Sequence, residues 1–269
     1  MAAARHRAAH QLLEDGGIFS DPLAVRILGE NPQEIVLNAQ ASDTGRRMRF
    51  FIAVRTRFAE DALAAALARG VTQLVILGAG LDTYACRGDY PASLRIFEVD
   101  HPATQAWKRG RLMEAAIPVP PALTFAPVDF ERETLADGLA AAGFDPLRET
   151  FFTWLGVVPY LTPEATWSTL RFIAGIPGDA HVVFDYSDPP ESFSPEMRAI
   201  YDARAARVAA LGEPWLNHFD SADLHAGLMQ AGFTRIEDLG PAHIRARWFP
   251  ARTAAGPEKG GHIIYAATC

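Results

Sequence analysis

Two glycines and one acid stand at a spacing that suits nucleotide binding. The run Gly78-Ala79-Gly80 directly follows a short apolar stretch, and Asp100 ends a second such stretch twenty positions later. Glycine lets the backbone turn sharply and lets a ligand come close. Because ligands of open parallel sheets bind beyond the carboxyl ends of the strands, Asp100 is predicted to accept hydrogen bonds from ribose hydroxyls.

A second acid belongs to the same pattern. Asp129 ends a third apolar stretch and is predicted to face the amino group of an adenine ring. In a plainer interpretation the glycines only make a tight turn, and Asp100 caps a helix that begins near Pro102. Asp129 has the same alternative, as a cap before a helix at 131–142. The placement of both acids behind apolar stretches favours the ligand interpretation.

The residues after the glycines distinguish two kinds of cofactor. Dinucleotide-binding turns carry G-x-G-x-x-G, whose third glycine packs close to a pyrophosphate at a helix start. Here Thr83 stands at that third position, beside Asp82. A carboxylate there would repel a pyrophosphate, but not the zwitterionic amino acid and the sulfonium of S-adenosylmethionine. The pair therefore favours a methyl donor over a nicotinamide dinucleotide.

The elements that must position these residues alternate between strand and helix. Runs rich in apolar, aromatic or β-branched residues are predicted as strands over 73–77, 94–100, 123–129, 150–158 and 181–186. Helical patterns lie between them, over 102–115, 131–142 and 163–174. This alternation indicates a doubly wound parallel sheet.

Both ends of the chain depart from that alternation. Helices are predicted over 3–15, from Asp21-Pro22 onward and over 43–69, and an insertion over 188–220 contains a helix over 196–210. A helix over 222–231 precedes two final strands over 234–239 and 262–267, with a loop over 240–261 between them. Because no helix is predicted between these last strands, they are expected to pair antiparallel.

The predicted fold is therefore α/β, with a doubly wound, seven-stranded, mostly parallel sheet and an antiparallel last strand. We expect residues 1–269 to form one domain. Its parts are a helical cap (1–70), a cofactor-binding core (71–187), a lid insertion (188–220) and a C-terminal helix with two strands (221–269).

Composition narrows the classes of partner. The net charge of −7 argues against nucleic-acid binding, which needs a clustered excess of Lys and Arg. No stretch approaches the ~20 apolar residues that span a bilayer, so no membrane partner is expected. The two cysteines, Cys86 and Cys269, suit a reducing cytoplasm better than a disulfide framework. The histidines show no metal-site spacing, so no metal is expected, and no serine-hydrolase elbow is present.

Several stretches together resemble the leucine carboxyl methyltransferase family. They are Phe19-Ser-Asp-Pro-Leu-Ala24, Arg55-Thr-Arg57 with Glu60-Asp61, Leu77-Gly-Ala-Gly-Leu-Asp-Thr83 with Arg87, Phe97-Glu-Val-Asp-His-Pro102 with Lys108, and Tyr160-Leu-Thr-Pro-Glu164. The resemblance runs from about Ala8 to the C-terminus. It implies a Rossmann-like sheet and S-adenosyl-L-methionine as cofactor. The family includes an enzyme that methylates the C-terminal leucine of a protein phosphatase and many bacterial O-methyltransferases of small molecules.

The resemblance also implies roles for individual residues. Arg55 matches an arginine that holds the carboxylate of the methionine part, a task that suits a guanidinium fork. Its alternative is a solvated charge on a helix surface. Gly78, with Ala79 and Gly80, would lie against the cofactor, and Asp100 would take the ribose. Asp129 and Phe130 match an acid and an apolar residue around the adenine.

One position departs from the family pattern. Many relatives have an acid in the fourth strand, where this chain has Leu155. A leucine side chain cannot bind the methionine ammonium, although its backbone carbonyl can accept a hydrogen bond from it. This departure puts that one contact in doubt, and Glu98 or Asp185 is the first place to look for a replacement acid.

The sequence thus predicts an S-adenosylmethionine-dependent O-methyltransferase that acts on a carboxylate or hydroxyl, with a small-molecule acceptor favoured over a peptide C-terminus. Two alternatives stay open, a nicotinamide-dependent oxidoreductase and a non-catalytic nucleotide-binding protein. His10, Gln11, Tyr160 and the insertion residues Trp215, His218 and Phe219 are further candidates for closing over or lining the site. Packing or solvated surface is the alternative for each. No catalytic base and no oligomeric state can be assigned.

Overall fold

A seven-stranded sheet with helices along the chain between its strands is the main feature of the computed structural model, which describes residues 2–41, 43–130, 132–250 and 256–269. The strands are β1 (Gln73–Leu77), β2 (Arg95–Asp100), β3 (Leu123–Pro127), β4 (Thr150–Trp154), β5 (Ala180–Ser187), β6 (Arg235–Leu239) and β7 (Gly261–Ala267). Their order in the sheet is β3-β2-β1-β4-β5-β7-β6. Strands β1, β2 and β3 pair parallel, whereas β7 runs antiparallel to both β5 and β6. The predicted α/β sheet is confirmed.

The chain divides into two compact units, residues 1–151 and 152–269. The first unit holds seven helices in its described part, and β4 begins at its end. These helices are α1 (Ala2–Glu14), α2 (Ala24–Leu28), α3 (Pro32–Gln40), α4 (Asp43–Arg69), α5 (Tyr84–Arg87), α6 (Pro102–Glu114) and α7 (Leu135–Ala141).

The second unit holds β5, β7 and β6 and four α-helices within its described residues. They are α8 (Pro163–Ala174), α9 (Pro195–Ala209), α10 (Ser221–Ala231) and α11 (Pro241–Trp248), with single 3-10 turns at Val158–Tyr160 and Pro190–Ser192. In the described parts of the chain, no helix is both long and apolar enough to cross a membrane.

The strand register in the first unit determines which residues meet at one edge of the sheet. Every residue of β1 is buried, as expected for a parallel strand covered on both faces. Leu77 at the end of β1 pairs with Val99 on β2, and Asp100 pairs with Pro127 at the end of β3. The residues that follow β1, β2 and β3 therefore emerge at the same edge.

Several sequence predictions need correction. The loop predicted over 240–261 is wrong in its first part, because α11 occupies Pro241–Trp248. Pro241 is the first residue of this helix, a position to which proline is well suited. Strands β6 and β7 pair antiparallel, as predicted. The absence of a helix between them cannot be the reason, because α11 lies there.

Other boundaries differ because of caps and turns that the hydrophobic pattern does not reveal. The third strand ends at Pro127 and the fourth at Trp154, both earlier than predicted. The helix predicted over 131–142 begins only at Leu135, where the Thr134 side chain caps it by accepting from Asp137 N. Its predicted start, Glu131, lies outside the described residues. Helix α3 was missed despite its Asn31 cap and Pro32 start, and so was the four-residue α5.

A buried polar cluster joins β5, β6 and β7 in the second unit. The His262 ring lies between two carboxylates, with Nδ1 3.0 Å from Asp238 Oδ1 and Nε2 3.0 Å from Asp188 Oδ2. Tyr186 donates to Asp238 at 2.6 Å, and Lys259 pairs with Asp188 at 3.1 Å. Burial alone would lower the pKa of His262, but its bond to Asp238 and the charges of both aspartates outweigh burial and raise it.

This cluster predicts how stability depends on pH. A histidine whose pKa is raised by folding stabilises fully below its unfolded pKa of about 6.5, and the stabilisation is lost as pH rises through the folded value. We therefore expect the melting temperature of the native chain to fall more steeply between pH 6 and pH 9 than that of His262→Gln. Thermal melts across this range measure it. If the melting temperatures of the two proteins changed with pH in the same way, the raised pKa of His262 would be contradicted.

Candidate active site

The loop after β1 has the backbone conformation that glycine permits. Gly78 and Gly80 both have positive φ values, 64° and 46°, in the left-handed region. The amides of Gly78 and Ala79 both donate to Val99 O on the neighbouring strand, at 2.9 and 3.2 Å. A Cβ built on Gly80 would have Gly78 O, at 3.9 Å, as its nearest neighbour, so this face of the loop is open to a ligand.

Asp100 is bonded to the glycine loop. Its Oδ2 accepts from the Gly80 amide at 2.7 Å, and its Oδ1 accepts from the His101 amide at 2.7 Å. The helix that follows is capped by His101, whose ring nitrogen accepts from Ala103 N. The capping alternative for Asp100 is therefore wrong. Each carboxylate oxygen can accept more than one hydrogen bond, and the side chain is only half-buried, so Asp100 can still receive ligand hydroxyls.

Arg55 lies in the middle of α4 on its buried side. It is 6% exposed, and its neighbours Val54 and Thr56 are also buried. The alternative of a solvated surface charge is therefore wrong. Most arginines are exposed, and a buried guanidinium presents a planar fork of donors that matches a carboxylate, which makes Arg55 a candidate for binding one.

Asp129 and Phe130 follow β3 at the edge where β1 and β2 end. The Asp129 carboxylate pairs with Arg132 at 3.5 Å, and its backbone carbonyl accepts from the amides of Arg132 and Glu133. Because Thr134 caps α7, Asp129 is not the cap of that helix. Phe130 is 61% exposed, an unusual position for a phenyl ring and one suited to stacking on a planar ligand.

Leu155 belongs to the second unit and directly follows β4. It is half-buried, in a turn where the next residue, Gly156, has φ 73°. Gly156 N donates to Asp185 Oδ1 at 2.6 Å, so Asp185 holds the backbone of this turn. In the first unit, Glu98 is fully buried and pairs with Lys108 Nζ at 2.5 Å. Both acids considered as replacements at Leu155 therefore have structural partners.

A set of buried polar residues around the glycine loop carries no role in the sequence predictions. Asp21 is 1% exposed and accepts from Thr83 Oγ1 at 2.8 Å, while Arg7 Nη2 donates to Leu81 O at 2.6 Å. Asp21 and Thr83 both lie in stretches that carry the family resemblance, which was the available signal. Their contact joins positions 62 residues apart, so spacing along the chain could not reveal it.

A second polar contact secures the helix after the loop. The Arg87 guanidinium forms a paired hydrogen bond with the Glu60 carboxylate, Nη1 lying 3.0 Å from Oε2, and it stacks 5.1 Å from the Phe19 ring centre. Burial raises the pKa of Glu60 although Arg87 opposes the shift. His10 and Gln11 contact the segment 18–21, which contains Phe19 and Asp21. His10 Nε2 accepts from Ile18 N, and Gln11 Oε1 accepts from Asp21 N.

The insertion of the second unit lies on the loops that follow β4 and β5. The Leu216 amide donates to Pro159 O at 2.7 Å, and the Phe219 amide donates to Ser187 O at 3.1 Å. No residue of α9 is fully buried. Strand-end loops are where α/β sheets bind ligands, so this insertion is positioned to contact one.

Half-buried aromatic side chains pack together in that insertion. The Tyr201 ring packs against Phe193 and Trp215, with ring centres 5.6 and 5.3 Å apart. Tyr201 also hydrogen-bonds to His218 Nε2 at 2.6 Å. Burial lowers the pKa of His218, so its ring is mostly neutral at pH 7. Phe219 is buried against Trp167 and Tyr186, which favours the packing alternative for this residue.

Comparisons with known proteins identify the family of this chain. The sequence model of the family described as "Leucine carboxyl methyltransferase" matches residues 1–174. The chain is 32% identical over 246 residues to the Bacillus subtilis protein named "Putative S-adenosyl-L-methionine-dependent methyltransferase YktD", covering 90% of this chain and 78% of that one. A Saccharopolyspora erythraea protein with the same description is 32% identical over 176 residues, which are 64% of this chain and 60% of that protein, less than two thirds of its length.

A solved structure supports the fold. The magnesium protoporphyrin IX methyltransferase of Synechocystis, determined with bound S-adenosylhomocysteine, superposes with a TM-score of 0.51. The match covers 97% of each chain at 11% sequence identity. At that identity the likeness establishes the sheet and its topology only.

Proposed function

The chain belongs to the leucine carboxyl methyltransferase family and is an S-adenosylmethionine-dependent methyltransferase, and from this premise we propose that it methylates an oxygen of a small molecule. The observation that carries the cofactor part of the proposal is the glycine loop bonded to Asp100, with an open face at Gly80. The nicotinamide oxidoreductase alternative is set aside, because the family and the named relatives are methyltransferases.

We assign the cofactor contacts as follows. The backbone of Gly78, Ala79 and Gly80 lies against the cofactor, and Asp100 accepts hydrogen bonds from its ribose hydroxyls. The open face at Gly80 fits a ligand there, and Asp100 is held in place by the loop amide. A ribose bound to Asp100 is therefore fixed relative to the loop backbone.

The remaining assignments concern the two ends of the cofactor. Arg55 binds the methionine carboxylate, Asp129 accepts from the adenine amino group, and Phe130 packs on the adenine ring. The carbonyl of Leu155 accepts from the methionine ammonium in place of a side-chain acid. The buried position of Arg55 and the exposed ring of Phe130 support these roles.

A carboxylate acceptor needs little help from a catalytic base. The bound sulfonium supplies an already activated methyl group. A carboxylate is ionised at neutral pH, so the protein has to orient it and exclude water. A hydroxyl acceptor is the second candidate, favoured by the neutral His218 ring beside Tyr201, which can accept a proton.

We propose that the 188–220 insertion of the second unit contacts the acceptor. The aromatic side chains of the insertion present apolar rings and polar tips, which suit a small organic acid or phenol better than a flexible peptide tail. The two free cysteines fit a cytoplasmic location.

The acceptor class can be tested with the methyl label itself. The protein is incubated with S-adenosylmethionine carrying a tritiated methyl group and one acceptor at a time: small aromatic carboxylic acids, phenols, and a peptide ending in leucine. Products are then treated with base, which releases tritiated methanol from methyl esters but not from ethers. Labelling of a small acid or phenol supports the proposal. Labelling of the peptide alone contradicts it.

A variant in the insertion gives a further prediction. Trp215→Ala should raise the KM of a small acceptor about tenfold, or about 1.4 kcal/mol, because tryptophan is among the residues whose truncation costs a binding site most. Its affinity for S-adenosylhomocysteine should not change. Trp107→Ala, which removes an exposed ring on α6, serves as the matched control. An unchanged acceptor KM in Trp215→Ala would show that Trp215 of the insertion does not contact the acceptor.

A further inference from the structure

We propose that Asp21 and Thr83 are positioning residues, whose hydrogen bond holds the glycine loop in the shape that receives the cofactor. By this inference the N-terminal segment 2–28, which contains Asp21, sets the cofactor affinity without touching the cofactor. The inference rests on the proposed placement of the cofactor at the glycine loop and deepens it.

Asp21 connects two parts of the first unit. One carboxylate oxygen, Oδ2, accepts from Thr83 Oγ1 at 2.8 Å and from Arg7 Nε at 3.2 Å. The other, Oδ1, accepts from the amide of Leu23 at 3.2 Å, at the approach to α2. Because the carboxylate is 1% exposed, water does not compete for these bonds. Hydrogen bonds to a charged group are stronger than those between neutral groups.

Leu81, inside the same loop, is also held by the N-terminal segment. Arg7 Nη2 donates to its backbone carbonyl at 2.6 Å. Its side chain is 5% exposed and packs in an apolar cluster with α1 and α2 residues, including Ala8 and Ile27. Two consecutive parts of the loop, the carbonyl of Leu81 and the hydroxyl of Thr83, are thus anchored to one N-terminal surface.

Thr83 is the junction between the loop and α5. Its backbone carbonyl accepts from the amides of Cys86 and Arg87 and so begins that short helix. On the other side, Asp82 N donates to Ala79 O at 2.7 Å and closes a tight turn around Gly80. A shift of Thr83 would therefore move the turn that presents the Gly80 amide to Asp100.

This arrangement predicts a specific loss. Without the bond from Thr83 to Asp21, the loop samples other shapes, and ordering it becomes part of the cost of binding the cofactor. Affinity then falls by more than the loss of overall stability accounts for. A residue needed only for folding would lower the melting temperature and leave the affinity of the folded protein unchanged.

The test compares three threonine variants of the full chain, titrated calorimetrically with S-adenosylhomocysteine. Thr83→Val keeps the shape but removes the hydroxyl, and we expect about tenfold weaker binding. Thr83→Ser keeps the hydroxyl and should restore the affinity to within about twofold of the native value. Thr150→Val removes another fully buried hydroxyl, which bonds to Gln73 and to Arg148 O far along the strands from the loop. It should lower the melting temperature without changing the affinity.

The outcomes separate the inference from the proposed function. If the native chain binds S-adenosylhomocysteine and Thr83→Val binds it equally well, the inference is overturned and the function stands. Equal weakening by Thr83→Val and Thr150→Val also overturns it. If the native chain does not bind, the cofactor placement fails and the inference fails with it. Should Thr83→Val not fold, Arg7→Lys, which loses the contact to Leu81 O, is expected to weaken binding several-fold, and native affinity in that variant overturns the inference.

Discussion

Lys108→Met is expected to lower the free energy of unfolding by about 3–5 kcal/mol, the usual cost of leaving one partner of a buried ion pair uncompensated. Lys108 and Glu98 are each 1% exposed or less, and Glu98 Oε2 lies 2.5 Å from the ammonium. Burial raises the pKa of Glu98, and Lys108 opposes that rise. Glu98 Oε1 has no hydrogen-bond partner among the described residues, so the ammonium is the main compensation for this carboxylate.

The matched variant removes both charges. In Glu98→Met/Lys108→Met, apolar side chains of similar volume replace the pair, which is often neutral or stabilising. We expect the double variant to recover most of the stability lost in the single one. Urea unfolding, monitored by circular dichroism, measures the free energy of unfolding of both variants. A loss below about 1 kcal/mol in Lys108→Met would show that the pair contributes little.

Asp100→Ala should weaken binding of S-adenosylhomocysteine about 10- to 150-fold, equivalent to about 1.5–3 kcal/mol. The variant loses the charged acceptor for the ribose, and it also leaves the Gly80 amide without its carboxylate partner. Isothermal calorimetry on the folded variant measures the change. We expect the affinity of Asp100→Asn to lie between those of the native chain and Asp100→Ala, because the asparagine carbonyl can still accept from Gly80 N.

Asp89→Ala is the control for charge. Asp89 is an exposed carboxylate in the loop between α5 and β2, so its removal changes the net charge by the same amount as Asp100→Ala. Its effect on affinity should stay within about twofold, since exposed charges are largely screened. Native affinity in Asp100→Ala would mean that the ribose assignment is wrong.

The sheet was largely predictable because strand periodicity and the position of acids are local signals. Helix α4 was predicted with its observed bounds, 43–69, from apolar spacing and the glycine that follows. By contrast, α11 was hidden because its first residue, Pro241, is as common in loops as in first helical turns. The hydrophobic pattern alone does not separate these two uses of proline.

The candidate site was predictable only where one residue's type implied its task. Glycines after a strand and acids at strand ends could be identified individually, and the structure brings Gly80 and Asp100 into direct contact. The bonds from Arg7 to Leu81 and from Asp21 to Thr83 depend on how the chain folds back across 74 and 62 positions. Such contacts follow from tertiary packing, and the sequence alone offered only the family resemblance as a guide.

The most direct test of the cofactor placement is a crystal structure of this chain with S-adenosylhomocysteine bound. We expect both ribose hydroxyls to lie within about 3 Å of the Asp100 carboxylate, while Asp100 keeps its hydrogen bond to the Gly80 amide. We also expect the amino-acid part of the ligand to lie near Arg55 and the adenine beside Asp129 and Phe130. A ligand whose ribose lies away from Asp100, or that does not contact the Gly78–Gly80 backbone, would contradict the account.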